Sequence, residues 1–188
     1  MVELSESKMS SSEHEEDKGI VSLKELVLNS PKPKLIVFDL DYTLWPFWCD
    51  THVSPPFKKT KKSIFDRNNY DVKMYPKTRQ LLEILKGEGF LIAAASRTET
   101  PDVAETLLSL FDINKYFDFK QIFPDRKLRH FNNLKEESGV NYNEMIFFDD
   151  EMRNITDISS LNVVCQYIQD GIDVISIETA FKEFQKRK

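Results

Sequence analysis

Asp39-Leu-Asp-Tyr-Thr43 sets two carboxylates two residues apart at the end of an apolar run, and Asp149-Asp150 closes a second such run, Met145-Ile-Phe-Phe148. Carboxylates at the first spacing can divide a task. One attacks an electrophile, while the other, displaced onto a loop, gives a proton to the leaving group and later takes one from water. That division suits phosphoryl transfer. Asp149-Asp150 would bring further negative charge to the same edge, and a cluster of carboxylates cannot all stay ionised without a cation. The candidate ligands are all oxygens, which favours Mg²⁺, an ion that takes one or two carboxylates and keeps waters and substrate phosphate on its other sites. Ser96, after Leu91-Ile-Ala-Ala-Ala95, is placed to hydrogen-bond a phosphate oxygen, and Lys127 to offset charge there, with Lys120 and Lys135 as competitors. Each has a plainer reading beside it. A strand-end Asp is often a turn former, Asp150 serves equally as N-cap of a following helix, and most lysines are solvated.

The elements around these residues alternate. Lys34-Leu-Ile-Val-Phe-Asp39 is a β-branched and aromatic run suited to a strand buried on both faces. Pro76 opens a predicted helix through Leu81, Leu82 and Leu85, closed by Gly87 and Gly89, and a strand follows over Phe90 to Ala95. Thr100 as N-cap and Pro101 at N1 announce a helix bearing Leu107 and Leu108; a weaker strand spans Phe117 to Phe123. Lys127 to Ser138 reads as helix ended by Gly139, Met145 to Phe148 as strand, Met152 to Ser160 as helix, and Val163 to Ile168 as strand. Such alternation means an α/β fold whose central parallel sheet is flanked by helices, with its ligand site outside the carboxyl ends of the strands. Asp39, Ser96 and Asp149 all fall there. Trp45 to Tyr75 shows no sustained period and reads as a long loop or small hairpin.

The chain has 188 residues, 40% of them hydrophobic, enough for one domain with a core and too few for two ordinary ones. Residues 1–30 carry seven acidic and three basic side chains, so most of the net charge of −5 sits in an acidic tail expected to be largely disordered, with a short helix over Ile20 to Leu28. Residues 31–188 form the expected single domain. The acidic balance argues against nucleic acid and anionic membrane surfaces as partners. No apolar run approaches the ~20 residues of a membrane helix. The first residues resemble neither a secretory signal nor a mitochondrial presequence, and Cys49 and Cys165 form no CxxC pair. The expected setting is the cytoplasm, for a monomer.

With these motifs in order, the chain resembles the haloacid dehalogenase (HAD) superfamily of phosphohydrolases. More narrowly, Asp39-Leu-Asp-Tyr-Thr-Leu-Trp-Pro-Phe-Trp48, Ala94-Ala-Ser-Arg-Thr98 and Phe147-Phe-Asp-Asp-Glu-Met-Arg-Asn154 look like the eukaryotic magnesium-dependent phosphatase family. The resemblance runs from Lys34 to about Gly171 and leaves out the last helix. It implies a Rossmann-like fold, Asp39 as the nucleophile that becomes an aspartyl-phosphate, Asp41 as general acid and base, and Lys127 as the stabilising cation. Thr43 and Ser96 would hold phosphate, with Leu40 and Arg97 beside them. Mg²⁺ would sit on Asp39, the backbone carbonyl of Asp41, and Asp149, with Asp150 behind these ligands.

Relatives with large caps insert a domain after the first or second motif. Here the insertion is minimal, so an open crevice is expected, fitting a phosphotyrosine or phosphoprotein substrate or a sugar phosphate. Trp45, Phe47, Trp48, His52 and Phe57 either form an aromatic platform for that substrate or simply pack the loop. His130 is expected to be structural, and Lys58, Lys59, Lys61 and Lys62 a solvated face. Two rivals stand beside the hydrolase: a receiver-like phospho-switch, and another HAD-type phosphotransferase without efficient hydrolysis. A receiver places its acidic pair first and its phosphoacceptor later, whereas the order here is DxD, Ser, Lys, Asp-Asp.

Overall fold

The computed structural model describes residues 31–187. The acidic tail and the helix expected over Ile20 to Leu28 lie outside the described residues. The first strand, β1 (Leu35–Phe38), is buried along its whole length. Its residues alternate between two cores: Leu35 and Val37 face one side of the sheet, Ile36 and Phe38 the other. That is why the run is continuously apolar rather than alternating.

Beyond β1 the chain turns at once, the amides of Thr43 and Leu44 both donating to the Leu40 carbonyl, with Tyr42 at φ 52°. The segment read as a loop or small hairpin carries a little more order than that. Three two-residue strands, β2 (Lys58–Lys59), β3 (Ile64–Phe65) and β4 (Asp71–Val72), pair antiparallel, and Ile64 and Val72 reach the main core. There is no separate cap domain among the described residues.

The alternation then proceeds through α1 (Thr78–Gly87), β5 (Leu91–Ser96), α2 (Pro101–Leu110), β6 (Phe119–Ile122), α3 (Lys127–Ser138), β7 (Met145–Asp149), α4 (Met152–Ser159), β8 (Val164–Tyr167) and α5 (Val174–Lys186). The five long strands form one parallel sheet in the order β6-β5-β1-β7-β8. From β1 the chain runs outward to β6 and then crosses back to β7, so the strand order reverses between β1 and β7. Open α/β sheets bind ligands in the crevice at that reversal. Asp39 and Asp149 flank it.

Some helix ends differ from the expectation. The first helix starts at Thr78, whose hydroxyl donates to the Leu44 carbonyl at 3.0 Å, and Pro76 stays in the preceding turn. Thr100 stands at the N-cap of α2 with Pro101 at N1, as expected, but its side chain makes no capping bond; its hydroxyl lies 3.3 Å from that of Thr98 instead. Asp150 does not cap α4 either, because Glu151 occupies that position. Gly139 ends α3 at φ 68°, as its lack of a Cβ allows. No helix of the described residues is long and apolar enough to cross a membrane.

Candidate active site

The strand ends open into a crevice of about 310 Å³ lined by Asp39, Asp41, Ser96, Arg97, Lys127 and Asp150, with Trp48 at its mouth. A larger hollow of about 610 Å³ lies elsewhere, between the small sheet and α1, with Lys59, Lys61, Lys62 and Arg79 on its walls. Size does not identify the site here. The smaller crevice holds the buried carboxylates and the buried cation, which is where chemistry is possible.

Lys127 is the first residue of α3 and is 1% exposed. Its Nζ donates to Asp39 Oδ1 at 2.5 Å and to the Ala95 carbonyl, and lies 3.1 Å from Asp149 Oδ2. One ammonium therefore ties together the ends of β1, β5 and β7. Burial alone would lower its pKa, but Asp39 and Asp149 outweigh burial and hold it up, so it stays charged. Lys120, the competitor, points away and pairs with Glu105 at 2.5 Å and Asn114 at 2.8 Å. The other competitor, Lys135, lies over the Tyr142 ring, its Nζ 4.7 Å from the centroid.

Asp39, Asp149 and Asp150 each bring a carboxylate oxygen within 4.8 Å of the others. Burial pushes Asp39 well above the usual carboxylate range, with Lys127 pulling against it and Asp149 and Asp41 adding to the rise. Burial, then Asp149 and Glu151, push Asp150 up to about 7. This is the electrostatic signature of a hard cation's place: three oxygen donors in mutual repulsion that one lysine does not neutralise. The residues present fit Mg²⁺. Asp150, expected behind the ligands, has its carboxylate in the cluster itself. The side chain of Asp41 is not in that group.

Asp41 faces the crevice on the turn after β1. Its Oδ1 accepts the Trp45 indole N–H at 2.6 Å and the Cys49 amide at 3.2 Å. Burial raises its pKa to about 6, against the pull of those two donors. Ser96 is buried at the end of β5, its Oγ 3.4 Å from the Thr98 amide. Arg97 donates to the Asp125 carbonyl at 2.9 Å and reaches Glu151 at 3.4 Å across the crevice wall. The Thr43 hydroxyl is fully buried without a hydrogen-bond partner, and the Leu40 side chain is buried too. The Leu40 side chain therefore belongs to the core and does not line the crevice.

The aromatic platform divides. Trp45 and Phe47 are 0% and 1% exposed and stack on each other at 5.8 Å, so neither offers a face to a substrate; they are core. Phe57 packs against that core. Trp48 is 47% exposed and lines the crevice mouth. His52 stacks behind it at 5.2 Å and accepts the Trp48 amide on Nδ1 at 3.1 Å, so it buttresses the platform rather than lining the crevice. Tyr42 completes the group edge-on at 5.3 Å from Trp48.

Other residues of the site escaped the sequence reading. Asn154 is buried at the start of α4, and its amide donates to both oxygens of Asp149 at 3.0 and 3.1 Å, orienting that carboxylate. It stands in the third motif, and the signal was a polar residue on the inward face of an amphipathic helix. The Thr98 hydroxyl lies 3.1 Å from the sulfur of Cys49, the residue after the first motif, and so ties the second motif to the end of the first. His130, expected to be structural, is fully buried with Nε2 at 2.8 Å from the Ser96 carbonyl and 3.0 Å from that of Phe123.

Comparison with known proteins agrees with this geometry. The sequence profile of the Acid Phosphatase family matches residues 31–187, which includes α5 and so extends past Gly171, where the resemblance read from the motifs ended. Magnesium-dependent phosphatase 1 of Homo sapiens is 47% identical over 155 residues, 82% of this chain and 88% of that protein. A HAD-like hydrolase superfamily protein of Schizosaccharomyces pombe is 38% identical over 141 residues, 69% of this chain and 82% of its own length. The fold also matches the crystal structure of an uncharacterized protein from Listeria monocytogenes, with a TM-score of 0.60 at 16% identity over 81% of this chain and 99% of that one. Motif order, a sheet reversing at the carboxylates and these similarities converge: the chain belongs to the Acid Phosphatase family of HAD-like hydrolases.

Proposed function

We propose that the protein is a Mg²⁺-dependent phosphatase that hydrolyses phosphate monoesters through a phosphoryl group carried on Asp39. The observation that carries this reading is the cluster of Asp39, Asp149 and Asp150 with Lys127 inserted between two of them. Asp39, Asp149 and the Asp41 carbonyl would hold Mg²⁺, with Asp150 beside them. When bound, the ion supplies charge neutralisation and alignment for the phosphoryl group.

The chain's own residues then do the rest. The Asp39 carboxylate attacks phosphorus in line, the bond from phosphorus to the leaving oxygen breaks, and Asp41 transfers its proton to that oxygen. Water next attacks the aspartyl-phosphate, Asp41 takes the water's proton, and the bond to Asp39 breaks to release inorganic phosphate. Asp41 is regenerated in its protonated form, so the two steps balance. Lys127 keeps Asp39 oriented and offsets charge on the phosphoryl oxygens, while Ser96 and the backbone after Asp39 supply donors to them.

Among the described residues no lid domain covers the crevice, and Trp48, backed by His52 and Tyr42, offers an exposed ring at its mouth. This supports phosphotyrosine, on a protein or free, as substrate, with sugar phosphates as the other class an aromatic face accommodates. Asp41 at the crevice favours turnover over a long-lived phospho-switch. The test is multiple-turnover hydrolysis of an aryl phosphate with Mg²⁺ against chelator, with Asp39→Asn as control. Dependence on both Mg²⁺ and Asp39 is the expected result. A single burst of product with a persistent phosphoprotein would replace this reading with the switch.

A further inference from the structure

A proton donor carried on a turn faces a difficulty: its carboxylic acid can swing between rotamers, and misplacement of the donor is costly. Here the acid is anchored from below. The turn Leu40 to Leu44, with Tyr42 at φ 52° and the Leu44 amide on the Leu40 carbonyl at 2.8 Å, folds the chain back so that Trp45 forms a β-bridge with Asp41. Trp45 is immobilised in the core between Phe47, at 5.8 Å, and Phe111, at 5.9 Å. Its only polar atom, Nε1–H, is spent on Asp41 Oδ1 at 2.6 Å, and the Cys49 amide reaches the same oxygen at 3.2 Å. Two N–H donors on Oδ1 leave Oδ2 as the oxygen that carries the transferable proton. The same donors stay engaged once that proton has left, so the side chain need not turn between the two steps.

We infer that Trp45, with the Cys49 amide, is a positioning residue that locks Asp41 with Oδ2 as the proton-bearing oxygen. The inference rests on the reading of Asp41 as general acid. It differs from a packing role in one readout. Losing the anchor penalises poor leaving groups, which need the proton, and spares good ones, which do not.

The experiment is kcat/KM, which reports phosphoryl transfer to Asp39, across phosphate monoesters of graded leaving-group basicity. The proteins compared are the wild type, Trp45→Phe, Asp41→Asn and Phe181→Leu. Trp45→Phe is expected to lose about tenfold or more on phenyl and alkyl phosphates while staying within about threefold of wild type on dinitrophenyl phosphate. Asp41→Asn should show the same tilt, more steeply. Phe181→Leu perturbs the same core where it packs on Phe90, away from Trp45 and Asp41, and should shift all substrates alike. If Trp45→Phe fails to fold, benzothienylalanine at position 45 keeps the ring shape without the N–H. A uniform loss in the position-45 variant, beside a steep tilt in Asp41→Asn, overturns the inference and leaves the mechanism standing. No tilt in Asp41→Asn overturns the acid assignment and the inference with it.

Discussion

Lys127 concentrates the energetics of the site into one side chain. A buried ammonium facing two buried carboxylates contributes little net stability as a pair, because desolvation of all three groups opposes their attraction; removing one member is what costs. Lys127→Ala should therefore destabilise the metal-free protein at neutral pH by about 3–5 kcal/mol in urea unfolding and lower kcat by ~10²-fold or more. Lys120→Ala breaks a half-exposed pair and should change stability by about 1 kcal/mol or less and leave kcat unaltered. His130 supplies a test by pH. Burial holds its pKa below the usual 6.5, so the unfolded chain binds more protons than the folded one as pH falls through that value. The stability this gives is fully present above the unfolded pKa and is lost on acidification. Thermal unfolding midpoints of wild type and His130→Gln should therefore converge on going from pH 7.5 to 5.5. Parallel curves would show that His130 does not titrate in that window.

Among the elements, the turn after β1 and the loop after β8 hold each other in place. The Ile172 amide donates to the Thr43 carbonyl at 2.9 Å, and Gly171, at φ 78°, lets the loop pass over Tyr75. A Cβ at position 171 would stand 2.3 Å from the Tyr75 ring. Gly171→Ala combines that overlap with left-handed backbone strain and should cost about 2–4 kcal/mol by chemical denaturation, with reduced activity because Tyr75 and Ile172 hydrogen-bond Leu44 and Thr43 of the turn that carries Asp41. Trp48 marks the other element-scale role, the platform at the crevice mouth. Trp48→Ala should raise KM for aryl phosphates with little change in kcat or in the unfolding midpoint, since the ring is half exposed and touches no catalytic group.

Taken whole, the molecule gathers repelling carboxylates at the reversal of its sheet and tolerates them because a cation completes the site. Mg²⁺ should therefore raise the unfolding midpoint, by about 3 kcal/mol of stabilisation when present at a hundred times its dissociation constant, and Asp149→Asn should abolish the rise. The layout behind this was legible in the chain: β1 and β7 are apolar runs ended by Asp39 and Asp149, and strand–helix alternation with right-handed crossovers leaves those ends on one edge. Local rules of period and punctuation suffice for that. The same rules left Trp45 open between a substrate platform and packing; it is core. They also left Asn154 without a role. Whether an aromatic ring stacks inward or faces a ligand, and which lysine of several reaches a carboxylate, depends on side chains brought together from positions as far apart as Asp39 and Lys127. Sequence by itself determined the residue types, their order and the edge of the sheet they share. Only the tertiary structure decided burial and partnership, because those are set by packing between elements and not by anything within one.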